Sequence, residues 1–348
     1  MPGARFRLAT LSLCAWVLAS TACGPVAPEQ RAPERFSILA VGDTGLPLGA
    51  HDGQARVAEM LAAEDAAHPV DGLLLLGDNF YPRGLSRDDL ALRIGHNVLT
   101  PYCRFVTPGP RAAETGSPCV PSPRPGRTIW AVLGNHDTGT PESPRLEREA
   151  VPAFVANWRM NDDVVEVLPV GKGVQLVLVD STRLVASDPD LLRAAVDAAP
   201  GPWRIVAGHY PIVDGWGASD GLAAQTTALH DALASARHRV QLILSGHEHN
   251  LQAFRPADGV PALHVIAGGG SSARKIEPGP DSRVFARETR GFARVAILRG
   301  PPERLLVELI ATPKPLLGLA ARRERVARFE IGVDGTFYAS EPGKSVSP

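Results

Sequence analysis

The chain has 348 residues, of which 44% are hydrophobic and 21% are charged, and its formal net charge is −1 at pH 7. This length and apolar content are enough to bury a large core, in one large catalytic domain or two small ones. The charges are well mixed and form no basic stripe, which argues against a nucleic-acid partner.

The first residues have the pattern of an export signal. Arg5 and Arg7 precede the apolar stretch Leu8–Ala19, which is followed by the small-residue segment Ser20–Cys23. A basic start, a short apolar region and small residues at a cleavage site are typical of secretory signal peptides. The apolar stretch is too short for a transmembrane helix, which needs about 20 residues. The mature protein is therefore expected to leave the cytosol.

Cys23 stands where a bacterial lipoprotein signal places its lipidated cysteine, although Ser20 occupies a position usually held by a larger aliphatic residue. The alternative is ordinary cleavage after Ala22, which would release a secreted protein. Residues 1–22 are thus predicted to be a signal peptide, and residues 23–35 a tether rich in Pro and Ala. The expected location is the periplasm, or the outer membrane or cell surface, with a lipid anchor as the only membrane contact.

The predicted catalytic domain begins with a βαβ unit. A strand over Phe36–Val41, a helix over Gln54–Ala67 and a strand over Gly72–Leu76 follow one another, which favours a parallel pair of strands. A second helix is predicted from Ser86, a suitable N-cap residue, to about Leu99. This order of elements predicts an α/β fold.

Residues 101–127 are predicted to be an irregular insertion rich in Pro and Gly. Its Cys103 and Cys119 are the two cysteines left once Cys14 and Cys23 are assigned to the signal. In an exported protein such a pair most simply forms a disulfide, and loop-closure entropy then gives a stabilisation of roughly 3 kcal/mol. A metal-binding or nucleophilic thiol pair is disfavoured, because no histidine or further cysteine lies at ligand spacing.

Further strands and one helix, Leu222–Ala236, are predicted in the rest of the domain. The first group of strands is Thr128–Leu133, Gln175–Val179, Trp203–Val206 and Val240–Leu244. Antiparallel strands that complete a second sheet are expected at His264–Ala267, Phe292–Leu298, Leu305–Ile310 and Arg325–Ile331. No linker follows Pro33, so residues 36–335 are expected to form one catalytic domain and residues 336–348 a tail.

In five places an apolar run ends at a glycine that is followed by side chains able to bind a metal. These places are Gly42-Asp43, Gly77-Asp78-Asn79, Gly134-Asn135-His136-Asp137, Gly208-His209 and Gly246-His247-Glu248-His249. Ligands bind beyond the carboxyl ends of strands in open α/β sheets, so these side chains are expected to meet along one edge. A single Asp is often a helix cap and a single His a core residue, but five in register argue against coincidence. Carboxylate, amide and imidazole donors in this combination predict a two-metal hydrolytic centre.

The five motifs together resemble those of the metallophosphoesterase superfamily, over roughly Phe36–Leu298. That resemblance implies a four-layer αββα sandwich, in which two mixed β-sheets are flanked by helices. Most members have Asp-x-His as the first motif, whereas this chain has Asp43-Thr44-Gly45. Tyr81, three residues after the aspartate of the second motif, is instead the mark of the purple acid phosphatases. Leu244–Gln252 and Gly208–Pro211 resemble the animal-type, tartrate-resistant branch of that family.

The resemblance implies a role for each motif residue. The first metal, a ferric iron in the family, would be bound by Asp43, Tyr81 and His249. The second metal, a divalent iron, zinc or manganese ion, would be bound by Asn135, His209 and His247. Asp78 would bridge the two metals, and His136 would contact the substrate phosphate and assist proton delivery to the leaving group.

The resemblance, together with the N-terminal signal, implies an exported acid phosphatase that hydrolyses phosphate monoesters by direct attack of a metal-bound hydroxide, without a phosphoenzyme. One alternative keeps the centre but acts on phosphodiesters, nucleotides or phospholipid headgroups, because the motifs do not shape the substrate pocket. Another is a non-enzymatic surface protein that binds metal or phosphate. Beside the motifs, Asp137 is expected to orient an imidazole, Arg83 is a candidate phosphate contact, and the 101–127 insertion is a candidate cover for the site.

Overall fold

A computed structural model describes residues 32–46, 52–120, 124, 126–171, 173–184, 188, 190–212, 223–313 and 322–342. The predicted signal peptide and the lipidation site Cys23 lie outside the described residues. The described chain from Pro33 onward belongs to one compact unit. No helix in the described part of the chain is both long enough and apolar enough to span a membrane.

The described elements are strands and helices that alternate along most of the chain. The strands are β1 (Glu34–Val41), β2 (Gly72–Leu75), β3 (Thr128–Ala131), β4 (Trp158–Met160), β5 (Val165–Gly171), β6 (Val174–Val179), β7 (Trp203–Ala207), β8 (Leu242–Ser245), β9 (Leu251–Phe254), β10 (Leu263–Ala267), β11 (Arg283–Arg287), β12 (Gly291–Leu298), β13 (Arg304–Ala311), β14 (Glu324–Ile331) and β15 (Phe337–Pro342). The α-helices are α1 (Asp52–Ala67), α2 (Leu90–Ile94), α3 (Ser143–Glu149), α4 (Ser181–Leu184), α5 (Asp190–Ala198) and α6 (Ala223–Ala234). A π-helical segment, Gly95–Leu99, continues α2, and short 3-10 helices occupy Ala112–Thr115 and Val151–Ala153.

The first sheet has eight strands in the order β15-β14-β13-β12-β1-β2-β3-β4. Strands β1 to β4 are parallel, with Ile38 opposite Gly72 and Gly72 opposite Thr128. The predicted βαβ unit is therefore confirmed, with α1 as its crossover helix. Residues 336–348 were predicted to be a tail, but Phe337–Pro342 within this segment forms the edge strand β15.

Strands β12, β13 and β14 extend the first sheet, which corrects the prediction that they complete a second one. They are antiparallel as predicted, and β12 pairs with β1 on the side opposite β2. The βαβ unit pairs only one edge of β1, the edge that faces β2. The backbone groups on the other edge of β1 need partners, and β12 supplies them. Of the four strands that were predicted to complete a second sheet, only the one at His264–Ala267, which is β10, lies in the other sheet.

The second sheet has seven strands in the order β11-β9-β10-β8-β7-β6-β5. Its centre is parallel, because β6, β7, β8 and β10 run in the same direction. Strands β5, β9 and β11 are antiparallel to their neighbours, which makes the sheet mixed. The fourth and fifth motifs follow β7 and β8 at the centre of this sheet.

The two sheets pack face to face, with helices on both outer sides. Alternate side chains of β1 face opposite sides of its sheet: Ile38 enters the core between the sheets, whereas Leu39 packs in the cluster that contains Leu61 of α1. A third cluster joins Val206 of β7 to Leu192 of α5 and to α6. This arrangement confirms the predicted four-layer sandwich of two mixed sheets and flanking helices.

The helix predicted from Ser86 begins later, at Leu90. Ser86 is not its N-cap, because the Ser86 hydroxyl donates a hydrogen bond to Oδ1 of Asp89 at 2.8 Å. Asp89 is the N-cap residue, and its side chain makes no capping hydrogen bond. The predicted end at Leu99 coincides with the end of the π-helical segment.

The predicted disulfide is present, with a Cα–Cα distance of 5.2 Å between Cys103 and Cys119. The insertion around it packs on the segment that leads into β4: the Gly109 amide donates to the carbonyl of Phe154 at 2.8 Å, and the Ala156 amide donates to the carbonyl of Thr107 at 2.7 Å. These contacts lie at the amino end of β4. The motifs follow the carboxyl ends of the parallel strands, which are at the opposite edge of the sheet. These contacts give no support to the expectation that the insertion covers the site.

Candidate metal centre

The carboxyl ends of five strands bring the motif residues to one place between the two sheets. Strands β1, β2 and β3 of the first sheet lead to Asp43, Asp78 and Asn135, while β7 and β8 of the second sheet lead to His209 and His247. Backbone hydrogen bonds join the loops across the sheets, for example from the Gly42 amide to the carbonyl of Ala267 at 2.8 Å. The parallel topology thus fixes the positions of the five motifs relative to one another.

Asp43, Tyr81 and His249 form one group of donors. The Tyr81 hydroxyl lies 3.1 Å from Oδ1 of Asp43 and 3.1 Å from Nε2 of His249. Nε2 of His249 is 3.3 Å from the same Asp43 oxygen. Nδ1 of His249 is hydrogen-bonded to the Ser272 hydroxyl, which directs Nε2 toward the group. These three residues are the ones expected to hold the first metal.

Asn135, His209 and His247 form a second group. Oδ1 of Asn135 lies 3.1 Å from Nε2 of His209 and 3.1 Å from Nδ1 of His247. Nδ1 of His209 donates a hydrogen bond to the carbonyl of Leu76 at 2.8 Å. In the neutral imidazole Nε2 therefore presents a lone pair to the amide oxygen, and a cation between these two acceptors would relieve their repulsion.

Asp78 lies between the two groups. Its Oδ1 is 3.4 Å from Nε2 of His209 and accepts a hydrogen bond from the His136 amide at 3.0 Å. Ligand atoms of Asp43, Asp78 and His209 all lie within 4.8 Å of one another. The structure therefore brings together all seven residues that the sequence assigns as metal ligands.

Three of these residues have left-handed backbone conformations. The φ angles are 58° at Asp43, 55° at Asp78 and 68° at His247, and within the described residues no other non-glycine residue has a positive φ. This region costs on the order of 1–3 kcal/mol for a non-glycine residue and occurs preferentially at functional sites. The strain is concentrated on residues that point donors into the centre.

Gly45 occupies the position where most of the superfamily has a histidine, and there is no room there for a side chain. A Cβ atom on Gly45 would lie 2.2 Å from the backbone carbonyl of Asn79 and 2.3 Å from the Phe80 amide nitrogen. The Gly45 amide donates to the carbonyl of Asp78, and the Tyr81 amide donates to the carbonyl of Gly45. This close pairing of the first two motif loops brings Tyr81 into the centre.

The protonation states of the free site fit a metal-binding role. Burial raises the pKa of Asp43 to about 8, and it lowers the pKa of His247 to about 3 and that of His249 to about 4. The imidazoles are therefore neutral, which is the form that binds metals. Burial and the neighbouring carboxylates also raise the pKa of Tyr81. Only a bound cation would make this phenol a phenolate near neutral pH.

One buried oxygen of the site has no hydrogen-bond partner within the described chain: Oδ2 of Asp43. Burial alone would raise the pKa of Asp78, but His209 and hydrogen bonds from Tyr81 and the His136 amide bring it below its usual value. Two buried carboxylates and a phenol thus meet without a lysine or arginine among their hydrogen-bond partners in this part of the chain. This is a donor set that metal ions satisfy.

His136 lies at the edge of the centre. Its Nδ1 donates a hydrogen bond to the carbonyl of Pro82 at 2.7 Å, and its Nε2 lies 4.0 Å from Oδ2 of Asp78. Its ring packs edge-on against Tyr81 with the ring centroids 4.5 Å apart. The side chain is 36% exposed, so Nε2 can meet a substrate that enters from solvent.

Asp137 is not placed as predicted. Its buried carboxylate accepts backbone hydrogen bonds from Asn79 at 3.0 Å, from Phe80 at 2.9 Å and from Gly134 at 2.8 Å, instead of orienting an imidazole. A short loop after a strand leaves amides that need acceptors, and this carboxylate supplies them. Asp137 therefore ties the second motif loop to the third. Arg83, the other candidate beside the motifs, is exposed.

Sequence analysis missed the segment that follows β10. The Ser271 hydroxyl donates to the carbonyl of Asp43 at 2.5 Å, Ser272 contacts His249, and the Arg274 amide donates to the carbonyl of His249 at 2.8 Å. The sequence contains a signal for this segment, because β10 is a sixth strand followed by glycine, here Gly268-Gly269-Gly270. The serine and arginine residues beyond these glycines are not typical metal ligands, so the pattern does not by itself predict a role in a metal centre.

The geometry defines an α/β sandwich with a cluster of metal-type donors at the ends of its parallel strands, and comparison with known proteins agrees. Residues 36–251 match the family model of the calcineurin-like phosphoesterases. That range contains all five motifs, and the chain belongs to this family. No curated protein matches the chain significantly.

The solved structures that are similar to the chain include the following three. GAP50, the anchor in the inner membrane complex of Plasmodium, has a TM-score of 0.58 at 17% identity, covering 84% of this chain and 89% of its own. PhoD has a TM-score of 0.56 at 11% identity, with coverages of 90% and 73%. Purple acid phosphatase PPD1 from yellow lupin (Lupinus luteus) seeds has a TM-score of 0.50 at 14% identity, with coverages of 88% and 53%.

Identities this low establish a shared fold only. Family membership, together with the cluster of Asp43, Asp78 and His209, supports a metal-dependent phosphoesterase with a binuclear metal centre.

Proposed function

We propose that the protein is an acid phosphatase that hydrolyses phosphate monoesters, of the purple acid phosphatase type and its animal-type branch. The observation that carries the proposal is the Tyr81 hydroxyl, which lies 3.1 Å from both Asp43 and His249. A phenolate is a hard anionic donor that suits Fe(III) better than softer metals. A tyrosine at this point therefore favours a ferric ion at the first site.

The proposed cofactor is Fe(III) together with Fe(II), Zn(II) or Mn(II). Asp43, Tyr81 and His249 would hold the ferric ion, while Asn135, His209 and His247 would hold the divalent ion, with Asp78 shared. When bound, such a pair would polarise the phosphoryl group and make a nucleophile available from water at acidic pH.

The chain itself contributes proton transfer and positioning. Nδ1 of His136 is committed to the carbonyl of Pro82, so Nε2 is the atom that can deliver a proton to the oxygen of the leaving alcohol. Asp43 and His209 are fully buried, which excludes water from the inner side of the site. Substrate would approach from the side on which His136 is exposed.

Hydrolysis of 4-nitrophenyl phosphate and of its bis-ester by the purified, metal-loaded protein tests this proposal. We expect monoester turnover with an acidic optimum. Asp78→Ala and His247→Ala should lower kcat/KM on the order of 10³-fold or more. His238→Ala, which changes an exposed histidine, is the matched control and should retain full activity.

Other results would point to the alternative functions. Preference for the bis-ester would favour a phosphodiesterase, and binding of inorganic phosphate without turnover of either ester would favour a binding protein. Full activity in Asp78→Ala would contradict the assignment of the site.

We also propose that the protein is exported and anchored through a lipid on Cys23. The support is the sequence of the first 23 residues alone. The mass of the mature N-terminus tests it. A diacylated cysteine at position 23 is expected, and an unmodified N-terminus after Ala22 would instead indicate free secretion.

A further inference from the structure

The segment Gly268–Arg274 lies against the metal centre along its whole length. A Cβ atom on Gly268 would lie 2.6 Å from Oδ2 of Asp43, which shows how closely the backbone approaches this ligand. Further along, Ser271 is bonded to the Asp43 carbonyl and Ser272 to the His249 ring. The Arg274 amide then donates to the His249 carbonyl at 2.8 Å. This hydrogen bond fixes the backbone of Arg274 directly beside His249, a predicted metal ligand.

The Arg274 side chain is exposed, and it is not used to neutralise another part of the protein. Within the described residues, no carboxylate lies within ion-pair distance of its guanidinium. Because the Arg274 amide is bonded to the carbonyl of His249, this side chain branches from the backbone directly beside the predicted first-metal group. An exposed arginine in that position without a carboxylate partner is available to bind an anion that reaches the centre.

We propose that Arg274 is a substrate-binding residue, whose guanidinium binds the non-bridging oxygens of the phosphate group. This inference rests on the proposed phosphatase function and deepens it. Two parallel N–H groups of a guanidinium match two phosphate oxygens. Above the second pKa of a phosphate monoester, which is about 6, the monoester carries a second negative charge that a diester lacks, so Arg274 favours monoesters over diesters in that pH range.

Local charge supports this assignment. Asp43, Asp78 and Tyr81 bring acidic groups to the site, so a positive side chain beside them would lower the cost of bringing an anionic substrate near. Lys275 follows Arg274 and is also exposed, but among the described residues only the amide of Arg274, not that of Lys275, is hydrogen-bonded to His249. Lys275→Ala is therefore a matched control, with the same change of net charge at a residue that is not bonded to the centre.

The test compares Arg274→Ala, Arg274→Lys and Lys275→Ala with the wild-type protein, all metal-loaded. Two quantities are measured: the Kd for inorganic phosphate by calorimetry, and kcat and KM for 4-nitrophenyl phosphate and its bis-ester. For Arg274→Ala we expect Kd and the monoester KM to rise about tenfold, equivalent to about 1.4 kcal/mol. The bis-ester KM should change less than about threefold, and Arg274→Lys should be intermediate.

The outcomes separate this inference from the proposed function. Equal losses for monoester and bis-ester, or the same effect in Lys275→Ala, would overturn it, because they indicate general electrostatics. If the wild-type protein hydrolyses the monoester while Arg274→Ala binds phosphate equally well, the inference alone is wrong. If the wild-type protein neither binds phosphate nor turns over an ester, both fail. Unchanged metal content and thermal unfolding show that the exposed substitutions leave the fold intact.

Discussion

At the scale of single residues, the centre depends on unusual backbone positions as much as on donor side chains. Asp43, Asp78 and His247 all have positive φ, and Gly45 sits where a side chain cannot fit. Both features bring the backbones of the motif loops close together, so that the short aspartate and histidine side chains can meet in the centre. The Gly45 position also explains how Tyr81 reaches the centre, since the first two motif loops are paired there by backbone hydrogen bonds.

Gly45→Ala should therefore damage both stability and the metal site. Its methyl group would overlap backbone atoms of Asn79 and Phe80, and overpacking of this kind costs about 1–3 kcal/mol or more. Denaturant unfolding and iron content measure the two effects. Gly208→Ala is the control, because its new methyl group would meet nothing closer than 3.5 Å. Equal stability of the two variants would show that the close approach at Gly45 is unimportant.

At the scale of elements, the loops after β2 and β3 are held together by a buried polar network. Asp137 accepts three backbone amides, while the Asn79 amide group donates to the carbonyl of Val132 and to Glu147 of α3. Burial and the nearby Asp78 raise the pKa of Asp137 to about 7. This network holds Asp78 and Asn135 in a fixed position relative to each other.

Asp137→Asn should loosen this connection. Asparagine has one acceptor oxygen in place of two, so at least one buried amide loses its partner, at a cost of about 1–3 kcal/mol. We expect a lower free energy of unfolding and weaker retention of the second metal. Asp88→Asn, an exposed change in the same part of the chain, is the control. No difference between the variants would argue against a positioning role for Asp137.

The local part of this arrangement could be predicted from the sequence, and the non-local part could not. A strand that ends at a glycine and a polar side chain is a local pattern. It was enough to predict that Asp43, Asp78, Asn135, His209 and His247 lie close together, as they do in the structure. The sheet to which β12 belongs depends on which edge of β1 is free. The residues Phe292–Leu298 do not indicate this, because it is a property of a strand far away in the sequence. Ser272 and Arg274 were missed because their role arises from contact with His249, which only the folded chain brings near.

At the scale of the whole molecule, the sandwich buries three acidic groups that make no ion pair with a lysine or arginine in the described part of the chain, namely Asp43, Asp137 and Glu147. Burial raises the pKa of Asp43 to about 8 and that of Asp137 to about 7, and it raises the pKa of Glu147. In the unfolded chain these groups are already ionised at neutral pH. The folded, metal-free protein therefore holds more protons than the unfolded protein in this range.

It follows that the metal-free protein should lose stability as pH rises from about 6.5 to about 8. His247 and His249 do not oppose this trend, because their lowered pKa values affect stability only below about 6.5. Thermal unfolding of chelator-treated and metal-loaded samples measures the effect. We expect a falling Tm without metal and a smaller change with metal, which keeps Asp43 ionised. A Tm that rises over this range without metal would contradict the burial of these acids.

The most direct test of the central proposal, a monoesterase with a Tyr81-bound ferric ion, is the visible spectrum of the purified protein, recorded with its metal content and its activity. We predict an iron-containing protein whose phenolate–Fe(III) absorption is lost in Tyr81→Phe. A colourless, iron-free protein that hydrolyses 4-nitrophenyl phosphate at full rate would contradict the proposal, as would unchanged absorption in Tyr81→Phe.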